Sequence, residues 1–406
     1  MISILKKPTF LLFFLGNITS LIGFGFNLIA VSWLVLSETG SEFALGKIMA
    51  SATAPGLIIS FFTGYIIDKT NRKWLMVFLD VFRIITITSF LIFLQYNDFR
   101  LIYLYPVVFF MGIGNSLFWS TSQAFTQEIV SEKEYFDANK LLSASYQIGS
   151  ILGAGIGGFI VHYYSPFTAL WINVLTYLLS AIFISFAPFK KKVKKEASKN
   201  IINSLFKGVK YLKERVDITV MSTTTILSDV AIWGALSVLT ISISIEIFDK
   251  GSWGYGVLDG MYGVGAFLSI IIVGHLTDNF SRRSVLQGCY LLGFISLHFS
   301  SIMPNIFLAS LFFFILGINI NASRVITRTI LMENINNKIM GRVQTVLGIY
   351  SRIMVVTSSL VTGYIIENYS IDSAVFFTCM HYFIAFLGIS LVGKVWIKSR
   401  EYLYGN

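Results

Sequence analysis

The sequence predicts an all-α integral membrane protein with twelve transmembrane helices in two six-helix bundles. Three observations lead there. The 406 residues are 55% hydrophobic and only 13% charged, against about 25% charged in a soluble domain, and the mean hydropathy is +0.73. The apolar residues gather into twelve stretches, each near the ~20 residues that cross a hydrocarbon core. One basic loop occurs twice, as GYIIDKTNRK and GHLTDNFSRR, with Gly64 and Gly274 separated by 210 positions (274 minus 64).

The first stretch, 10–37, follows Pro8. It is too long for a signal-peptide core and has no cleavage site, so it stays as a span. The second, 44–67, contains Pro55, the one proline placed inside a span; a lost backbone bond there is expected to bend the helix. The third, 74–95, begins after the first basic loop, and the fourth is 101–127, entered near Pro106. The fifth, 137–163, is glycine-rich, and the sixth, 165–188, runs between Pro166 and Pro188. After a basic segment come 216–246, 254–277, which ends at the second basic loop, and 283–303, which stops at Pro304. The last three are 305–330, 339–366 and 371–397. Each is read as a helix, because lipid offers no partner for backbone N–H and C=O groups. The ten-residue alternation of a membrane barrel is absent.

Charge sets the orientation. With the N-terminus inside, the outer connections hold only Arg100 and Lys250 as bases, beside Glu38, Glu42, Asp98, Glu246, Asp249, Glu367 and Asp372. The inner segments hold Lys6, Lys7, Lys69, Arg72, Lys73, Lys133, Lys140, Arg282, Arg283, Lys338, Arg342, Lys398 and Arg400. The positive-inside rule then places both termini and segment 189–215 in the cytoplasm. The chain divides into an N-terminal six-helix bundle, 1–188, a basic linker, 189–215, and a C-terminal bundle, 216–406. The net charge of +10 belongs to an inner face meeting anionic lipid, and nucleic acid is not an expected partner. The Lys190–Lys195 run reads as a solvated linker, with lipid sensing as the alternative.

Cys289 and Cys379 fall inside spans, and His162, His275, His298 and His381 are scattered singly. They form no disulfide framework and no metal-ligand spacing. No nucleophile, metal or phosphate-binding constellation suggests an enzyme, and no cofactor is expected.

The halves repeat beyond the basic loop. At an offset of 205 (333 minus 128), Glu128 matches Glu333, Asn139 matches Gln344, Gly158 matches Gly363 and Gly112 matches Gly317. Such spacing is the mark of an internal duplication, and duplicated halves are the architecture of secondary transporters.

On these residues the chain resembles the major facilitator superfamily over essentially its whole length. GYIIDKTNRK is similar to that family's signature loop, G-x-x-x-D-[RK]-x-G-[RK]-[RK], with Asn71 at the second glycine, a replacement that a left-handed backbone position tolerates. The resemblance implies a latch between the halves in the outward-open state, built from Gly64, Asp68, Arg72 and Lys73 and repeated in Gly274, Asp278, Arg282 and Arg283. In the fifth stretch, Gly149, Gly153, Gly157 and Gly158 resemble the family's antiporter motif, G-x-x-x-G-P-x-x-G-G. Ala154 replaces the proline, so close packing is expected without the kink. Asp80-x-x-Arg83 and the run QAFTQEIVSEKEYFDANKLLSAS resemble the macrolide-efflux and enterobactin-exporter branch. One family feature is missing: the fourth-helix arginine and glutamine of R-x-x-Q-G-x-G are Val108 and Met111 here.

Ionisable residues at membrane depth are costly and point to function. Asp229, near the middle of the seventh stretch, is read as the only acid at that depth in the second half. It is either a proton carrier or one side of a permanent salt bridge, and Arg352 in the eleventh stretch is its expected partner. Asp80 and Arg83, one helical turn apart, are expected to pair. Arg324 is placed where it meets substrate or lipid, Arg328 at the interface with its side chain snorkelling, and Lys47 near the outer end of the second stretch.

The family fold implies that helices 1, 4, 7 and 10 line a central cavity. Asn17, Ser20, Asn27, Asn115, Trp119, Gln123, Trp233, Asn319, Asn321 and Arg324 then become candidate wall residues. Aromatic surface with few polar anchors suits a bulky amphiphile, and an excess of arginine favours neutral or anionic cargo. The expectation is a monomeric, proton-coupled exporter of an amphiphilic small molecule, macrolide-like or siderophore-like, in a bacterial plasma membrane. A lysophospholipid or other lipid-flipping transporter is the alternative, and a membrane sensor a more distant one, since segment 189–215 is too short for an output domain.

Overall fold

In the computed structural model, residues 2–131, 134–189, 201–335 and 337–392 are described, and all regular structure among them is helical. Lys133, the Lys190–Lys195 run, Lys398 and Arg400 lie outside the described residues, as do the side chains of Asp68, Lys140 and Lys338. The long helices are α1 (Pro8–Thr39), α2 (Glu42–Lys69), α3 (Arg72–Tyr96), α4 (Leu101–Ile129), α5 (Tyr135–Tyr163) and α6 (Pro166–Phe186). Next comes α7 (Val216–Ile247), whose α-helical turns are interrupted by π-turns at Ala231–Ala235 and Ile243–Ile247. The rest are α8 (Gly251–Asn279), α9 (Arg282–Ser301), α10 (Ile306–Asn334), α11 (Asn337–Asn368) and α12 (Ile371–Leu391).

Among the described residues, eleven helices are long and apolar enough to cross a membrane. The exception is α9: its 20 residues suffice in length, but Arg282, Arg283, Gln287, His298 and four serines lower its hydropathy. A further helix, Ile201–Glu214, was not legible in the basic segment. Its Phe206 is exposed, while Gly208 lies against α11, where an added Cβ would come within 2.7 Å of the Arg342 carbonyl.

Local chemistry explains the helix ends. Pro8 and Pro166 open α1 and α6, where their missing N–H costs nothing. Side-chain oxygens at six N-caps among the described residues accept from a backbone N–H three residues on, four of them being Asn71 from Trp74 (3.4 Å), Ser281 from Ser284 (3.1 Å), Ser165 from Thr168 (3.0 Å) and Ser370 from Ser373 (3.1 Å). These four caps recur at the same places in the two halves of the sequence. Asn71 corrects the expectation of a left-handed residue: its φ is −81° and ψ 113°, an extended cap. Gly40 closes α1 at φ 59°, donating to the Leu36 carbonyl at 2.8 Å. Pro55 and Pro106 both lie inside helices.

Among the first six long helices, α1 packs on α5 and α6, α2 on α4, and α3 on α4 and α6. Among the last six, α10 packs on α8 and α9, and α12 on α7 and α9. Two broad seams join the sets, α5 against α8 and α2 against α11. We call the end with Glu42, Glu246 and Glu367 acidic and the end with Arg72 and Arg282 basic. At the acidic end one continuous apolar core takes side chains from both sets, such as Leu34, Leu170, Leu239 and Ala374. At the basic end the core splits into one cluster around Phe13 and Phe125 and another around Leu286 and Ile330. The helices are therefore joined at the acidic end and parted at the basic end.

One surface tie lies beside the basic end. Lys7 Nζ is 2.6 Å from both carboxylate oxygens of Glu134, which also accepts from Ser131 N (3.0 Å) and Oγ (2.7 Å). The Lys7 hydrogen bond, then those from Ser131, pull the Glu134 carboxyl down to about 2, from an ordinary glutamate value near about 4.3. A depressed carboxyl contributes stability that is complete above the unfolded value and fades as pH falls toward the folded one. Thermal unfolding of Glu134→Gln against the parent checks this: the parent's advantage at neutral pH is expected to shrink through that acidic window and vanish below it.

Candidate functional site

Between the two helix sets lies a cavity of about 670 Å³. Its walls come from α1, α4, α7 and α10, as the family resemblance implied, and also from α2, α5, α8 and α11. Asn27, Asn115, Trp119, Trp233 and Arg324 line it. Gln123 and Asn319 are outside the lining, and Asn319 donates instead to the Ile315 carbonyl of its own helix at 2.8 Å. Asn17 is also away from the wall, donating to Ser145 Oγ at 2.7 Å.

Aromatic rings cross the cavity from one helix set to the other. Trp119 on α4 meets Tyr146 on α5 at 5.6 Å between centroids, and Tyr146 meets Trp233 on α7 at 5.8 Å. Phe24 on α1 approaches Trp233 at 6.5 Å. Such rings give an apolar ligand broad contact with defined edges and faces. Trp233 sits within the first π-turn of α7, where one extra residue per turn widens the helix; π-turns recur at functional sites.

Asp229 does not pair with Arg352. Its Oδ1 accepts from Arg324 Nε at 2.8 Å, and Arg324 Nη2 lies 2.7 Å from the same oxygen. Arg324 reaches α7 because α10 packs beside it, whereas Arg352 points toward the opposite seam. There Arg352 Nη2 donates to Ser116 Oγ at 3.3 Å, and no acid pairs with it among the described residues. Arg328 lines the cavity rather than lying away from it. Asp259 on α8 is a wall residue that the sequence reading passed over. Its signal was available: one acid in the apolar, glycine-rich run Gly254–Gly265.

Asp80 and Arg83 do pair, one turn apart on α3, and both are fully buried. Asp80 Oδ2 accepts from Ser180 Oγ on α6 at 2.7 Å. Arg83 donates to Asn115 Oδ1 on α4 at 2.9 Å and Ser20 Oγ on α1 at 3.0 Å. Its guanidinium also lies over the rings of Tyr177 (4.1 Å) and Phe118 (4.4 Å). The pair thus ties four helices together, and Arg83 itself reaches the cavity wall.

The repeated basic loops make repeated contacts. Arg72 donates to the Ala124 carbonyl at 2.8 Å and lies 3.4 Å from Glu128; Arg282 is 2.6 Å from Glu333. Lys73 donates to the Ala187 carbonyl at 2.8 Å, and Arg283 to the Ser390 carbonyl. A cation on the last carbonyls of a helix is favourable. Glu128 and Glu333, noticed only as repeat markers, are the acidic partners. Gly64 lies in the last turns of α2, while Gly274 and Asp278 are exposed, with open space where a Gly274 Cβ would stand.

The glycines of α5 serve two contacts. An added Cβ on Gly149 would meet Leu21 Cβ at 2.5 Å, on Gly153 Gly25 Cα at 2.7 Å, and on Gly157 Ile29 Cγ2 at 2.9 Å, all on α1. Gly158 instead faces α8, where a Cβ would lie 2.6 Å from the Ser252 carbonyl oxygen. Ala154 is buried and α5 runs unbroken past it.

Residues 1–398 match the family described as transmembrane secretion effector. Among curated proteins, the chain is 26% identical over 298 residues to the putative bacilysin exporter BacE of Bacillus subtilis (strain 168), covering 71% of this chain and 72% of that one. It is 20% identical over 186 residues to the multidrug efflux pump Tap of Mycolicibacterium fortuitum, covering 44% and 45%. Among solved structures, the nucleoside transporter NupG superposes with a TM-score of 0.75 at 11% identity, over 95% of this chain and 98% of that one. A bacterial homologue of the lysosomal transporter Spinster, described as inward-facing and unoccupied, superposes at 0.64 with 13% identity, over 98% of both. At these identities the structural likenesses speak to the fold alone.

Proposed function

The chain belongs to the transmembrane secretion effector family, a group of major facilitator membrane transporters, and on that premise we propose that it exports an amphiphilic small molecule by alternating access, driven by proton entry. In this reading α9 also spans the bilayer, giving twelve spans in two six-helix units, 1–188 and 216–406, joined by 189–215. The basic end faces the cytoplasm with both termini, the chain works as a monomer in a bacterial inner membrane, and lipid surrounds it. The conformation is then open inward and sealed outward. The observation that carries the proposal is the cavity itself, walled by both units and closed where their cores merge. Efflux roles of relatives such as BacE and Tap support export over uptake.

Coupling is assigned to Asp229 and Arg324. In the inward-open state their ion pair neutralises two charges that the bilayer centre penalises. In the outward-open state a proton on Asp229 takes the place of Arg324, and its release to the cytoplasm restores the pair. Separation of α7 from α10 and proton uptake are thereby one event. The bases of the two signature loops close the basic end when the cavity turns outward.

The test is a pH-quench assay in energised inverted vesicles, with macrolides, catechol siderophores, lysolipids and cationic dyes added in turn. Proton release from the lumen on adding a cargo, reduced at least tenfold in Asp229→Asn, is expected. Full proton release by that variant would remove the coupling assignment. Net movement of cargo without proton release would leave a transporter that is not an antiporter.

A further inference from the structure

Resting on the export reading, we propose that the cargo is a zwitterion: Asp259 receives its ammonium group and Arg352 its carboxylate, with the aromatic rings holding the body between. The two charges sit on opposite walls. Asp259 is on α8 beside the α5 seam, since a Cβ on the adjacent Gly260 would contact Gly155 of α5 at 3.9 Å. Arg352 is on α11 at the α2 seam, where a Cβ on Gly56 would meet its Nε at 3.3 Å. Both side chains open into the same cavity.

Neither is satisfied from within. Among the described residues no cation pairs with Asp259 and no hydrogen bond reaches it. Among the described residues, Arg352 has only the Ser116 hydroxyl as a hydrogen-bond partner. The other charges in the wall differ. Asp229 and Arg324 neutralise each other, Arg83 is held by Asp80, and Arg328 lies one turn from Arg324 toward the basic mouth. An unpaired charge in an apolar wall is costly. A ligand that brings the opposite charge removes that cost, so the wall selects for an ammonium at one seam and a carboxylate at the other.

Asp259 is also placed for an amine. It begins its ninth position in α8, roughly 12 Å along the helix at ~1.5 Å per residue, toward the sealed acidic end. Tyr255 and Tyr262, four residues before and three after, share its face and line the same cavity. Tyrosine faces with a carboxylate make a site for a cationic group. Between the poles run Tyr146, Trp119 and Trp233. The earlier inference of neutral or anionic cargo counted the arginines without this carboxylate.

The experiment uses the purified full-length chain and isothermal titration calorimetry with 4′-(aminomethyl)biphenyl-4-carboxylate. Its N-acetyl form, an anion, and its primary carboxamide, a cation, are the matched controls. The zwitterion is expected to bind at least tenfold more tightly than either, as charge-assisted hydrogen bonds allow. Asp259→Asn should remove the advantage over the N-acetyl form and keep the advantage over the carboxamide; Arg352→Gln should do the reverse. An unchanged unfolding transition certifies each variant as folded. Equal binding of the three compounds, no binding of the zwitterion by the parent, or an unchanged preference in Asp259→Asn overturns the proposal. Export measured in the vesicle assay stands or falls separately, so loss of the zwitterion class is distinguished from loss of the export reading.

Discussion

Asp80→Ala is expected to destabilise the folded chain by about 3–5 kcal/mol, the usual cost of leaving one member of a buried ion pair without its partner. The side chains of Asp80 and Arg83 are 0% and 2% exposed, so solvent does little to soften the loss. Arg83 keeps Asn115 and Ser20 as acceptors, yet its charge is left uncompensated between two rings, and Ser180 loses its acceptor. Denaturant unfolding in detergent measures the effect. Replacing both residues with apolar side chains, Asp80→Leu with Arg83→Met, should recover most of it, because well-packed apolar substitutes for a buried pair are often neutral. A change within about 0.5 kcal/mol for Asp80→Ala, the range of an ordinary surface substitution, would contradict this account of how α1, α3, α4 and α6 are held together.

Gly158→Leu is expected to lower export about fivefold or more while leaving the protein folded. The added Cβ would stand 2.6 Å from the Ser252 carbonyl and 2.9 Å from Gly256 Cα. Backbone cannot yield as a flexible side chain does, so the α5–α8 seam must open. Overpacking costs about 1–3 kcal/mol, and this cost falls on the state in which the acidic end is sealed. A coupling of that size shifts a two-state population by about 5- to 150-fold. Gly153→Leu is a different case, since its clash with Gly25 lies between α1 and α5 of one helix set. It should weaken the fold itself. Vesicle export and thermal unfolding of the two variants separate these outcomes, and wild-type export by Gly158→Leu would deny the seam its role.

Much of the architecture was legible because lipid imposes a length and a polarity on each helix. The prolines at Pro8 and Pro166 marked helix starts that local chemistry enforces. The partner of Asp229 was not legible. Depth along a helix favoured Arg352 and put Arg324 nearer the cytoplasm, whereas the pairing depends on which of α10 and α11 presents its arginine to that face of α7. The π-turns of α7 were equally hidden, since they answer to packing and not to composition. Ile201–Glu214 was lost in a basic run, where charge density hides amphipathic spacing. Asn71 misled because asparagine suits both a left-handed turn and a helix cap, and the following helix decided. Asp259 was a different failure: one acid among glycines was visible, and only its position on the cavity wall gave it meaning.

One cavity serving both faces in turn is the centre of this reading, and paired electron-spin distances test it directly. In a background carrying Cys289→Ser and Cys379→Ser, one label pair at Lys69→Cys and Asn279→Cys reports the basic ends of α2 and α8. A second pair at Asn97→Cys and Ile302→Cys reports the acidic ends of α3 and α9; all four positions are exposed. The account predicts that moving between alkaline and acidic pH changes the two distance distributions in opposite senses. Shortening at the basic end should accompany lengthening at the acidic end. Distances that stay fixed at both ends, or that change in the same sense, would contradict alternating access through this cavity.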